Sequence, residues 1–258
     1  MDELQNIILG NVTQAGFAAA LLVGLIAGVI KGMVGFGLPT VLISGLTVML
    51  APDVALAALI FPTLVANAMQ ALRGGIKAAL IAVNKYRVFL LAGLVFMIGS
   101  AQLVTSLSQS TLFLLIGLPV SCFALLQLGG WEFRLPNPTK GIEMAVGAVT
   151  GFIGGLSGVW GPPTVAYLTA INTPKAEQIR VQGVIYGLGA MVLAVAHLKS
   201  GVLRAETIPL SVVMILPAVL GMVIGVRIQD RINQARFKQV TLAVLLIAGL
   251  NLVRRGLF

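Results

Sequence analysis

Gly24-Leu-Ile-Ala-Gly28-Val-Ile-Lys31-Gly32-Met-Val-Gly35-Phe-Gly37-Leu-Pro39-Thr40-Val41 is an apolar stretch that reads as a helix interrupted and begun again. Glycine tolerates backbone geometry closed to other residues, and proline suits the first turn of a helix. Gly35–Gly37 is therefore read as an unwound segment, with a new helix opening at Pro39. The pattern occurs twice. Gly147, Gly151, Gly155 and Gly158 repeat Gly24, Gly28, Gly32 and Gly35 at an offset of 123. After one inserted residue, Gly161-Pro-Pro163-Thr164-Val165 repeats Gly37-Leu-Pro39-Thr40-Val41 at an offset of 124. A proline then opens the next apolar segment in both copies, Pro52 and Pro174. Four glycines and a Pro-Thr-Val held in register point to an internal duplication.

The rest of the chain sets this duplication in a membrane. Of 258 residues, 58% are hydrophobic and 10% charged, with a mean hydropathy of +1.03. Soluble domains carry about 25% charged residues, so that class is excluded. Apolar segments fall near 16–50, 52–72, 86–106, 111–130, 141–171, 175–198, 207–226 and 236–253. They do not alternate apolar and polar residues, which excludes a β-barrel. The expected fold is an all-α polytopic bundle of two repeats, 1–134 and 135–258, each of four segments. Segments one and five, of about 35 and 31 residues, would make helices of about 52 and 46 Å. A bilayer core is about 30 Å thick, so each is predicted to be broken or re-entrant. Met1-Asp2-Glu3 lacks the positive region of a signal peptide, so the first segment is expected to stay in the mature chain.

Lysine and arginine set the topology. Arg73, Lys77, Lys85 and Arg87 make the loop after the second segment cytoplasmic, and the uncharged stretch 105–111 is expected outside. Re-entrant first and fifth segments would bring Arg227, Arg231, Arg236 and Lys238 to the cytoplasmic side, leaving fewer basic residues outside. The same choice makes the two repeats inverted, the arrangement of many transporters. This placement also accounts for the net charge of +9 without nucleic acid, since no basic patch is interleaved with aromatics.

Chemistry is expected at the breaks. Unwound backbone at membrane depth survives only where it is buried in protein or lines an aqueous cavity. Each new helix presents unpaired N–H groups and a positive dipole end, which favour an anion. Gly37, Pro39, Thr40 and Val41 in one copy, and Gly161, Pro163, Thr164 and Val165 in the other, are the candidate substrate contacts, with Trp160 inside the second break. Close helix packing alone accounts for the upstream glycines but poorly for the paired Gly-x-Pro-Thr-Val. Lys31 lies inside an apolar segment, where a cation is costly; it either serves the site or snorkels to an interface. Arg180, near Gln178, Gln182 and Tyr186, is either a substrate-pairing cation or an anchor, and Gln182 is grouped with the site. Asn67 either lines a cavity or makes an interhelical hydrogen bond, with Gln70 a second uncharged donor nearby.

Other chemistries lack residues. Asp2, Glu3, Asp53, Glu132, Glu143, Glu177, Glu206 and Asp230 lie at termini, loops or segment ends, so no carboxylate sits mid-membrane. No nucleophile–base pair, metal cluster or phosphate loop is present, so neither an enzyme nor a cofactor is expected. His197, at a segment end beside Lys199, reads as interfacial, and the single Cys122 as packed within its segment.

Gly28 through Val41 and Gly151 through Val165, followed by Pro52 and Pro174, resemble the sulfite exporter TauE/SafE family, also called TSUP, of anion transporters. Gly32-Met-Val-Gly-Phe-Gly37 is sparser in glycine than many members. The resemblance implies transport, commonly outward, of sulfite or organosulfonates such as sulfoacetate. It places a multi-pass protein in the inner membrane. The expected partners are a small anion and the lipid bilayer, with a homodimer left open. The expected site lies between the half-helix N-termini at the repeat interface. Transport of another small organic anion, or a non-transporting interaction subunit, stands as the alternative.

Overall fold

The structure is a computed structural model that describes residues 14–101, 108–131, 134–135, 137–157, 161–199 and 201–257. The described residues form twelve helices and no strand: α1 Gln14–Val34, α2 Leu38–Leu46, α3 Pro52–Ala71, α4 Gly75–Lys85, α5 Arg87–Ala101, α6 Gln109–Leu128, α7 Lys140–Ser157, α8 Gly161–Ala170, α9 Lys175–Lys199, α10 Ile208–Val213, α11 Ile215–Arg231 and α12 Gln234–Leu257. Five stretches are long and apolar enough to cross a membrane: α1, α3, α9, α10 with α11, and α12. The pair α4–α5, bent by 73°, makes a sixth if the two helices are taken as one broken span. The chain is an all-α, multi-pass membrane protein. Met1–Glu3 and Thr105, which entered the topology reading, lie outside the described residues.

The chain forms two compact units. One comprises Met1–Arg73 with Gly183–Ile232, and the other Gly74–Gln182 with Asn233–Phe258.

In the first unit, α1 packs along α11. Small residues allow the approach: a methyl at Gly28 would overlap the Ala218 carbonyl, and one at Gly32 the Met222 carbonyl. Gly221 and Gly225 return the fit against Leu25 and Val29. Lipid tails are as apolar as leucine, so such close backbone contact, rather than water exclusion, joins helices in a bilayer. The break itself spans Gly35 and Gly37, each at φ 90°. The chain then reverses, because position 37 lies beside Ile30 and position 45 beside Val23. Helix α2 therefore folds back along α1 as the short arm of a hairpin. A Cβ at Gly37 would meet only Ile30 Cγ2, at 3.4 Å, so Gly37→Ala tests backbone strain alone. It should destabilise the protein by about 1–2 kcal/mol, read as a lowered melting temperature in detergent.

Helix α3 carries Pro62 in its interior. Proline crowds the residue before it, and the Phe61 N–H donates to Ser211 Oγ at 3.2 Å. A hydroxyl thus satisfies backbone beside the proline, as membrane helices require.

In the second unit, α5 packs on α7 and α6 on α12. A methyl at Gly151 would overlap the Gly93 carbonyl, and one at Gly117 would come within 2.8 Å of the Gly249 carbonyl. Leu135 N donates to Ala170 O at 2.9 Å, which brings the end of α8 beside the chain just ahead of α7. Gly158–Trp160, where the sequence reading puts the second break, lie outside the described residues. The Phe89 and Tyr167 rings stack at 5.7 Å, and Glu143 Oε1 accepts from Phe89 N at 3.3 Å.

Two sequence expectations are corrected. The stretch between Arg73 and Arg87 is not a loop but contains helix α4, whose alanine-rich middle favours helix. Cys122 is not packed within the protein but exposed on α6. It shares a stripe with Leu115, Leu118, Leu125 and Leu126, all exposed, at helical spacing. The stripe is an exposed apolar surface, and an apolar helix gives no polarity contrast from which to read it.

Candidate anion site

In the first unit the predicted residues Lys31 and Asn67 meet at the break. Lys31 is 1% exposed, so it does not snorkel. Its Nζ donates to Gly35 O at 3.0 Å and to Asn67 Oδ1 at 2.5 Å, and lies 5.1 Å from the centre of the Tyr186 ring. Gln70, one turn beyond Asn67 on α3, donates from Nε2 to Lys31 O at 3.1 Å. Both amide side chains are 1% exposed. Gly183 and Gly187 bring α9 onto this face of α3, since a Cβ at Gly183 would come within 2.6 Å of Gln70 Cβ. That approach carries Tyr186 to the ammonium.

No carboxylate balances Lys31 among the described residues. The described acids are engaged elsewhere: Asp53 and Glu206 with Arg204, Asp230 with Arg73, Glu177 with Lys85, and Glu143 with the Phe89 N–H. A buried cation is normally paired. Among the described residues its partners are a carbonyl, an amide oxygen and an aromatic face.

The remaining first-unit residues form the start of α2. Gly37 is its N-cap in the left-handed region, and Pro39 occupies the first turn. Thr40 and Val41 are half-buried, and Val41 N donates to Gly37 O at 2.9 Å. The Gly35 carbonyl that holds Lys31 belongs to the same break, so the cation sits at the turn between α1 and α2.

The second unit holds the other candidates. Gly161 opens α8, Pro163 is half-buried, and Thr164 and Val165 are fully buried. Gln182 is fully buried on α9. Arg180 is half-buried, and its Nη2 lies against Gly74, 2.9 Å from where a Cβ would stand. Trp160 lies outside the described residues.

Gln70 and Tyr186 belong to the Lys31 cluster but were not placed in the site from sequence. Gln70 had a signal: it stands three residues after Asn67, on the same helix face, inside an apolar span. Tyr186 had a weaker one, its position between two glycines.

Membrane-length helices, a helix that reverses at a glycine break, and a buried lysine at that break define a multi-pass membrane protein with a cation inside its first unit. A family model described as Sulfite exporter TauE/SafE matches residues 20–252, nearly the whole chain, and the chain belongs to that family. At this level its function is membrane transport of sulfur-containing anions. No curated protein and no solved structure matches the chain.

Proposed function

We propose that the chain exports sulfite or a small organosulfonate such as sulfoacetate across the inner membrane, and that Lys31 at the α1–α2 turn binds the anionic group. The carrying observation is the buried ammonium of Lys31, which has no carboxylate among the described residues. An anion supplies the missing charge, and Asn67 fixes the ammonium in place through Oδ1. The start of α2 adds donors from the same break, and α8 carries the second copy of the motif. Export needs no pump: an inside-negative membrane favours outward movement of an anion by about 2.3 kcal/mol per charge at 100 mV.

The test is sulfite efflux from proteoliposomes carrying the purified chain, with sulfoacetate, thiosulfate and simple carboxylates as competitors. Sulfur anions should compete and carboxylates should not. Efflux that matches empty liposomes would refute the transport assignment. The start of α2 is tested separately. Thr40→Val should weaken sulfite binding by about tenfold or more, because hydrogen bonds to a charged group contribute about 1.5–3 kcal/mol. Unchanged binding in that variant removes the Thr40 hydroxyl from the site.

A further inference from the structure

The Lys31 cluster specifies more than charge. An amide side chain can usually be drawn in either orientation, but here both are fixed by their partners. Lys31 Nζ can only donate, so the Asn67 atom facing it must be Oδ1. Lys31 O can only accept, so the Gln70 atom facing it must be Nε2. What remains on each amide is then determined. Asn67 retains a donor, Nδ2, and Gln70 retains an acceptor, Oε1, both buried and both without a hydrogen-bond partner among the described residues.

Buried polar atoms are paired in the great majority of cases, and each exception calls for an explanation. A bare anion would satisfy Lys31 and Asn67 Nδ2, but it would leave Gln70 Oε1 facing acceptor oxygens. A ligand that satisfies all three must offer acceptors and one donor together. We infer that the site, read as the anion site above, selects a sulfur oxyanion bearing an N–H or O–H group beside its charged oxygens. Hydrogen sulfite has that chemistry, as do sulfur oxyanions carrying an amino group. The charged oxygens meet Lys31 and Asn67 Nδ2, and the ligand's own hydrogen points at Gln70 Oε1.

Sulfamate and methanesulfonate test this cleanly. Both are monoanions of nearly the size of sulfite, and they differ by an amino group in place of a methyl. Binding of each to the detergent-purified full chain is read as a thermal shift and as competition against sulfite. Sulfamate should bind at least about tenfold tighter, since a site built to hydrogen-bond a ligand rejects the analogue that lacks the bond. Gln70→Leu should bring the ratio close to one; Gln70→Met serves the same purpose if the leucine variant fails to fold. Equal binding of the two anions to the wild-type chain overturns the inference and leaves the anion site standing, as does a sulfamate preference that survives in a folded Gln70 variant. A different result separates the two readings: if neither anion binds, or if both bind Lys31→Met as they bind the wild type, the anion site itself falls and the selectivity with it.

Discussion

Lys31→Met is expected to reduce sulfite efflux from proteoliposomes by on the order of a hundred- to a few thousandfold. The figure follows from the role of the ammonium. Removing one partner of a buried charge pair costs about 3–5 kcal/mol, and each 1.4 kcal/mol is a factor of ten in binding. Methionine keeps the length and apolar stem of lysine, so the packing around α1 changes little. The ligand-free variant should therefore elute as a single species in detergent and melt within a few degrees of the wild type. It loses two hydrogen bonds, to Gly35 O and Asn67 Oδ1, but it also sheds an ammonium that no carboxylate balances. The decisive readout is the stabilisation conferred by sulfite, which should be present in the wild type and absent in the variant. Wild-type efflux from a folded Lys31→Met protein would remove this cluster from the transport path.

The second large effect comes from a single methyl group placed at two glycines. Gly151→Ala drives a Cβ into the Gly93 carbonyl, and neither helix can relieve this by turning a side chain. Helices α5 and α7 must separate, giving up the contacts that hold them in lipid. Overpacking costs about 1–3 kcal/mol where side chains can adjust, and more where the obstacle is backbone. Gly28→Ala makes the same collision with Ala218 O in the other unit. Gly99→Ala on α5 is the control, for a Cβ there meets nothing within 4 Å. By helix propensity alone it should stabilise the chain by about 0.5–1 kcal/mol. The yield of monodisperse protein in detergent should thus fall sharply for Gly28→Ala and Gly151→Ala and hold for Gly99→Ala. Equal yields for all three would show that these helix contacts are not close-packed.

These contrasts mark how far the sequence could be read. The glycine break was legible because Gly35, Gly37 and Pro39 have backbone requirements of their own, independent of any neighbour. Lys31 was legible as a cost, since a charge in an apolar segment must be explained wherever the segment lies. What it touches was not. Asn67 and Gln70 stand more than 35 residues away on α3, and nothing local decides which helix faces the break. The pairing of α1 with α11 and of α5 with α7 was equally hidden. A ridge such as Gly24–Gly28–Gly32 announces that another backbone will approach closely, not which one. Cys122 failed for a related reason. In water, polarity separates the outer face of a helix from the inner one, but on α6 leucines line the exposed face as well.

The partners of the α1 ridge are also far apart in time. Helix α2 follows its hairpin partner immediately, so that turn can close as soon as it leaves the ribosome. Ala218, which fills the space over Gly28, comes 190 residues later. At about 5–20 residues per second, α1 waits roughly 10–40 s for α11 to be made. During that interval its glycine groove lacks the backbone that fills it in the folded protein. Final assembly of the first unit is then a late step in biogenesis, and Gly28→Ala would arrest the protein there with its early helices already made.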